Sequence, residues 1–317
     1  MTFTHAYNCV SAAVYNMLVV NYNFRFPFEL MSMSSSFFEL FVDKGRLSCG
    51  SPIHRANDFL VQFGTRIYYP DMLDVNGAIA YAQHYLDRRG VLPLSINLKY
   101  DAASPKTFDD DHWHFHLLVR KTEQDKFIIF NLFNGDYYEV CSAHLAKLID
   151  TSFNYRYAQQ FTPFMQLELE NYEQAQAVLG RDNDRVDMLR HVLKHYPLES
   201  NLDEGSDYLQ ALSAYIRSGE RHLHYEHQVL DYQRIVTRSR ELVRNYLRSC
   251  HDGEAGNTAF QAVVQGWDAF RNKLAMALMR RSSADMAALQ GHYEHLIHLE
   301  YNTLSRVITL VEAAKMR

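Results

Sequence analysis

Residues His112 to Asn131 read HWHFHLLVRKTEQDKFIIFN. Apolar residues crowd into two short runs, Phe115 to Lys121 and Lys126 to Leu132, and the polar Thr122 to Asp125 between them has the character of a hairpin turn. The stretch predicts two antiparallel strands. Side chains alternate across a strand, so His114 and His116 share one face of the first. An antiparallel return brings Asn131, at the end of the second run, back to the neighbourhood of His116.

Upstream, Val91 to Leu98 (VLPLSINL) predicts another strand, entered from Gly90, which stops a helix over Val75 to Arg89. A further helix is expected over Ile53 to Phe63, and Cys9 to Tyr22 (CVSAAVYNMLVVNY) reads as a buried helix with Asn8 as its N-cap. Downstream, Phe164 to Leu169 (FMQLEL) is a fourth strand. Helices followed by a mostly antiparallel sheet define an α+β domain. From about residue 172 onward strand signals vanish. Helical patterns run over Gln174 to His195, Ser206 to Arg217, Leu223 to Arg248, Thr258 to Met279 and Ala284 to Lys315, which predicts an appended helical bundle. The expected domains are 1–170 and 171–317.

The chain has 317 residues and a formal net charge of −5, without the basic blocks that neutralise phosphates, so nucleic acid is not an expected partner. No apolar run reaches the roughly 18–20 residues of a membrane span, and the start lacks a signal-peptide pattern. The expected location is the cytoplasm. The cysteines at 9, 49, 141 and 250 form no CxxC pair, which argues against a zinc knuckle or a disulfide framework. His-Tyr-Glu-His occurs twice, at 224–227 and 292–295, but the di-iron pattern needs Glu-x-x-His, so no metal is expected. The helical stripe Tyr293, Leu296, Ile297, Tyr301, Leu304, Ile308 and Val311 reads as bundle core, and any surplus face is a candidate for homodimerisation or for docking a carrier protein.

The chemistry concentrates on Cys9. A thiol attacks as thiolate, and a helix start favours thiolate through its unpaired N–H groups and the positive end of its dipole. The same N–H groups, with Asn8 or His5 as a side-chain donor, are candidates for holding an oxyanion. His116, directly before the apolar run, is the expected base, with His114 as its rival on the same face. Asn131 is the expected orienting group, since Cys-His-Asn is a known triad variant, and Asp136 and Asn134 are fallbacks. The acidic Asp109, Asp110 and Asp111, beside Trp113, form a candidate wall for a cationic substrate.

The order of these features resembles the butirosin biosynthesis protein H N-terminal family, and more distantly the C39 peptidases. The features are a Cys opening a small-residue helix (NCVSAAVYNMLVVNYNFRFPFELM), Gly90-Val91-Leu92-Pro93 entering a strand, His116 before three apolar residues, and a strand ending at Asn131 before Tyr138-Glu139-Val140. The family usually ends that later strand with Asp. The resemblance implies a papain-like cysteine-protease fold and acyl transfer from a carrier-protein thioester, through acyl-Cys9, to a small amine acceptor in natural-product biosynthesis. It implies no cofactor beyond the phosphopantetheine arm that presents the donor. Peptidase or thioesterase activity and a non-catalytic scaffold are the alternative expectations.

Overall fold

The computed structural model describes residues 3–5, 8–24, 27–35, 40–43, 46–49, 53–101, 113–149, 161–179, 185–249 and 253–315. In chain order the elements begin with α1 (Cys9–Tyr22), α2 (Phe28–Ser35), β1 (Leu40–Asp43), β2 (Arg46–Cys49), α3 (Ile53–Val61), β3 (Thr65–Tyr68) and α4 (Val75–Arg89). They continue with β4 (Leu92–Asn97), β5 (Trp113–Lys121), β6 (Lys126–Phe130), β7 (Tyr137–Cys141), α5 (Ser142–Leu148), β8 (Gln166–Leu169) and α6 (Tyr172–Leu179). The remaining helices are α7 (Arg185–Lys194), α8 (Leu198–Arg217), α9 (Leu223–Ser249), α10 (Gly253–Arg280) and α11 (Ser283–Lys315). The protein is a mixed α+β chain with small antiparallel sheets.

Two compact units divide the chain, one from residues 1–26 and 56–182, the other from 27–55 and 183–317. A single boundary near residue 170 therefore misplaces residues 27–55. Helix α2 packs on α9 and α7, and β2 packs on α9 and α8, so this early segment belongs to the helical core. Leu30, Met31 and Met33 are fully buried there. Apolar spacing identifies a core face, but it does not say which core the face joins.

In the first unit β4, β5, β6 and β7 form an antiparallel meander. Leu94 lies opposite His116 and Ile96 opposite His114, while Leu117 pairs with Phe130 on the other side. Helices α4 and α5 cover the core that includes Leu92, Leu94, Ile96, Leu118, Ile129 and Val140. Helix α1 packs along β4 and β5. It is buried almost all round, with Val10, Ala12, Ala13, Val14, Met17 and Leu18 fully enclosed, so it lacks the polar stripe of a surface helix. Asn8 caps it by accepting from Ser11 N–H at 3.1 Å. Asn16 clamps the incoming chain, accepting from Thr4 N–H at 2.9 Å and donating to Thr4 C=O at 2.7 Å.

The second unit gathers α9, α10 and α11 with α8 and α7. Its centre is Glu300, fully buried, which accepts from Arg240 at 2.8 and 2.9 Å, from Trp267 Nε1 at 2.8 Å and from Tyr196 Oη at 3.0 Å. Four charge-assisted bonds offset the desolvation of that carboxylate. Helix α8 begins at Leu198, eight residues before the expected start at Ser206, because the polar run Glu199–Glu204 hides its period. Gly205 inside it lies under the Tyr293 ring, where a Cβ would overlap the ring atoms, and Tyr293 Oη donates to Asn201 C=O at 2.7 Å. Gly205→Ala is expected to destabilise the protein by about 1–3 kcal/mol, the usual range for overpacking, read as a lower urea midpoint.

Candidate active site

The structure pairs Cys9 with His114. The Cys9 side chain is buried, 5% exposed, at the first position of α1. His114, near the start of β5, hydrogen-bonds it. The His114 Nδ1 lies 3.1 Å from the Phe115 carbonyl oxygen, which only accepts, so Nδ1 carries a proton and Nε2 faces the sulfur. Burial by itself would lower the His114 pKa. The Cys9 sulfur, the hydrogen bond to it, the Phe115 carbonyl and the Asp101 carboxylate together outweigh burial and raise it. The protonated form of His114 is thereby favoured.

His116, the base expected from sequence, is turned to a different partner. Its ring is 1% exposed and stands edge-on to His114, with centroids 5.7 Å apart, and its Nδ1 lies 3.2 Å from Tyr138 Oη. Tyr138 also hydrogen-bonds Asp101, a buried residue just past the end of β4. A carboxylate only accepts, so the Tyr138 proton goes to Asp101 and the His116 Nδ1–H donates to Tyr138. Burial and the Asp101 charge both push the Tyr138 pKa up and keep it protonated. Burial, then the His114 charge, hold His116 well below the ordinary imidazole range, so it is neutral. Both histidines lie on one face as alternation requires, but depth and partners separate their roles.

Asn131 comes back beside His116, one step beyond the Leu117–Phe130 pair. Its side-chain oxygen, however, accepts from Phe133 N–H at 2.8 Å and from Asn134 N–H at 3.4 Å, which is an Asx-type anchor of the β6–β7 loop. Asn134 Oδ1 in turn accepts from Asp136 N–H at 3.0 Å, so both fallback residues serve the same loop. At His114 the Phe115 carbonyl holds Nδ1, and Asp101 acts through its charge, the smallest of the influences that raise the pKa. Asn8 spends its oxygen on the cap, and His5, exposed, lies against Gly135 of that loop, whose φ is +82°. Asp109, Asp110, Asp111 and the side chain of Trp113 lie outside the described residues.

Asp101 and Tyr138 were not singled out from sequence. The signal for Asp101 is topological: β4 runs antiparallel to β5, so chain leaving the end of β4 emerges beside the start of β5, where His114 sits. Among the described residues no cluster of His, Cys, Asp and Glu is arranged to hold a metal, and no helix is long and apolar enough to cross a membrane. In the first His-Tyr-Glu-His copy, Glu226 instead pairs with Arg281 at 3.4 Å and accepts from Tyr215 Oη at 3.1 Å. No family model matches the chain, and no curated protein matches it either.

Two outcomes follow from these placements. The folded-state pKa of His116 is depressed below its unfolded value of about 6.5, so the unfolded state binds more protons in acid and stability falls as pH drops below about 6.5. Urea midpoints measured from pH 7.5 down to 5 should fall more steeply in the wild type than in His116→Gln, and parallel slopes would remove His116 as a source. Asn131→Ala should lower stability by about 1–2 kcal/mol through the loop, while the rate of Cys9 alkylation stays within about twofold of wild type.

Proposed function

We propose that this chain is a cysteine-dependent acyltransferase of papain-like type, with Cys9 as nucleophile and His114 as base. The observation that carries the reading is the hydrogen-bonded Cys9–His114 pair at the start of a buried helix, a sulfur and an imidazole more than a hundred residues apart in sequence. Such convergence of a thiol, a base and a fixed tautomer is what covalent catalysis requires.

In the first half-reaction the Cys9 thiolate attacks a thioester carbonyl, the carbon–sulfur bond to the donor breaks, and the departing thiolate takes the proton held on His114 Nε2. In the second, an amine attacks acyl-Cys9, His114 Nε2 takes a proton from the amine nitrogen, and the Cys9 carbon–sulfur bond breaks to leave an amide. Asp101 stabilises the imidazolium in both halves, and the first-turn N–H groups of α1 are placed by helix geometry for the oxyanion. The shelter of Cys9 from solvent favours an amine held in the site over bulk water. The resemblance in sequence supplies the substrate classes, a donor on the phosphopantetheine arm of an acyl carrier protein and a small amine acceptor, and a cytoplasmic setting suits a free thiol.

Incubation with a simple acyl thioester, followed by intact mass measurement, tests the reading. The wild type should gain one acyl group on Cys9 that persists until an amine is added. His114→Ala should slow the gain on the order of 100-fold and His116→Gln far less. Equal rates in wild type and His114→Ala would overturn the assignment, and prompt loss of the acyl group without amine would make the protein a hydrolase.

A further inference from the structure

At the outer edge of β8, Met165 N–H donates to Pro93 C=O at 3.1 Å, and beyond that contact some main-chain groups have no partner among the described residues. In the β3–β8 pair, Glu170 N–H donates to Gly64 C=O at 2.8 Å. With Thr65 opposite Leu169 and Ile67 opposite Leu167, that bond fixes the alternation. Arg66 exchanges ladder bonds with Glu168, and Tyr68 with Gln166, so the N–H and C=O groups of Thr65, Ile67, Leu167 and Leu169 point away from the partner strand. Two of these outward groups meet side chains. Asn57 Oδ1 accepts from Ile67 N–H at 2.8 Å, and Tyr22 Oη donates to Leu167 C=O at 3.0 Å. Among the described residues Leu169 has no such partner for either main-chain group.

Leu169 lines a groove of about 700 Å³ together with Tyr22, Tyr68, Arg89, Glu168 and Tyr172. That volume falls within the range of clefts that hold a small ligand or a short peptide. Tyr172 is 48% exposed and Tyr68 38%, so both present ring surface that can cover a bound chain. The Arg89 guanidinium stacks over the Tyr22 ring, 5.6 Å from its centre, and has no carboxylate partner among the described residues. Glu168, also exposed, sets a negative charge on the strand itself. The 14-residue α1 separates its two ends by about 20 Å, so the groove stands apart from the Cys9 thiol.

We propose that this groove docks an extended peptide as an added strand on β8, its backbone pairing with Leu169 and an acidic side chain meeting Arg89. Open strand edges recognise extended chains through main-chain bonds, with side-chain pockets adding selectivity. The occupant is committed by the donor and acceptor side by side at Leu169 and by the Arg89 guanidinium in the same groove, which meets no carboxylate among the described residues.

Anisotropy and amide-shift titrations with a panel of end-blocked pentapeptides Val-X-Val-Z-Val, X and Z each being Glu, Lys or Tyr, test the site on the full chain. At least one Glu-containing peptide should saturate and move the Leu169 amide signal. Alternate N-methylation of that peptide, which removes its donors, should weaken binding by about tenfold, the worth of one to two main-chain bonds. Arg89→Ala, checked for an unchanged unfolding midpoint, should weaken the Glu-containing peptide about three- to tenfold and a Glu-free one less. The proposal is overturned if no peptide saturates by about 1 mM, the weak limit of recognition, or if methylated and unmethylated peptides bind alike. Tighter binding of a peptide spelling residues 150–160 would assign the edge to this chain's own segment and equally overturn it.

Discussion

A buried imidazole must satisfy both of its ring nitrogens, and that requirement divides the labour between two histidines one pleat apart. His114 spends Nδ1 on the carbonyl of the residue after it and is left with Nε2 against sulfur. His116 spends Nδ1 on Tyr138, which is tied in turn to Asp101. The Asp101 charge thus adds to the raised His114 pKa and helps keep Tyr138 protonated, while burial and the His114 charge keep His116 neutral. Two positive charges on adjacent rings never have to coexist. The two rings are shifted in opposite directions, His114 up and His116 down.

The sulfur is held to this arrangement by the helix that carries it. At its start, Asn8 caps the first turn and Asn16 grips Thr4. At its end, Asn21 accepts from Val91 N–H at 3.0 Å and donates to Val91 C=O at 2.9 Å, at the entry to β4. Asn8 closes the first turn of α1 while Asn16 and Asn21 tie the helix to neighbouring backbone, and the helix and the strand that leads to Asp101 share a common anchor. A loose thiol would lose orders of magnitude in rate through misplacement alone. Fixing it with amides, which carry no charge, adds no further ion beside the sulfur and the His114 ring.

Much of the frame was legible in sequence. Helix α1 begins at the Asn8 cap and α4 ends at Gly90 as expected, because caps are local chemistry. Strands β4, β5 and β6 follow from alternation and turn residues. The face shared by His114 and His116 was legible too, but the choice between them depends on what surrounds each ring, and Tyr138 comes from another strand. Asn131 was brought to the right place by the hairpin, yet its oxygen is claimed by a loop of the next few residues, a local competition that triad logic ignores. Asp101 became visible only with the pairing of β4 and β5. The short strands β1 and β2 and the helix α2 gave weak patterns, and nothing local tells them to join the helices made later.

That last assignment bears on how the chain is made. Residues 27–55 leave the ribosome early, whereas their unit is completed around Glu300, some 245 residues further on. At about 5–20 residues per second, the interval is roughly 10–50 s. During that time the apolar side chains of Leu30, Met31 and Met33 await their final partners while the intervening sheet unit is synthesised and can already close. A nascent segment in that condition is a ready client for a holding chaperone, and the yield of correctly assembled protein becomes a matter of translation speed as much as of final stability.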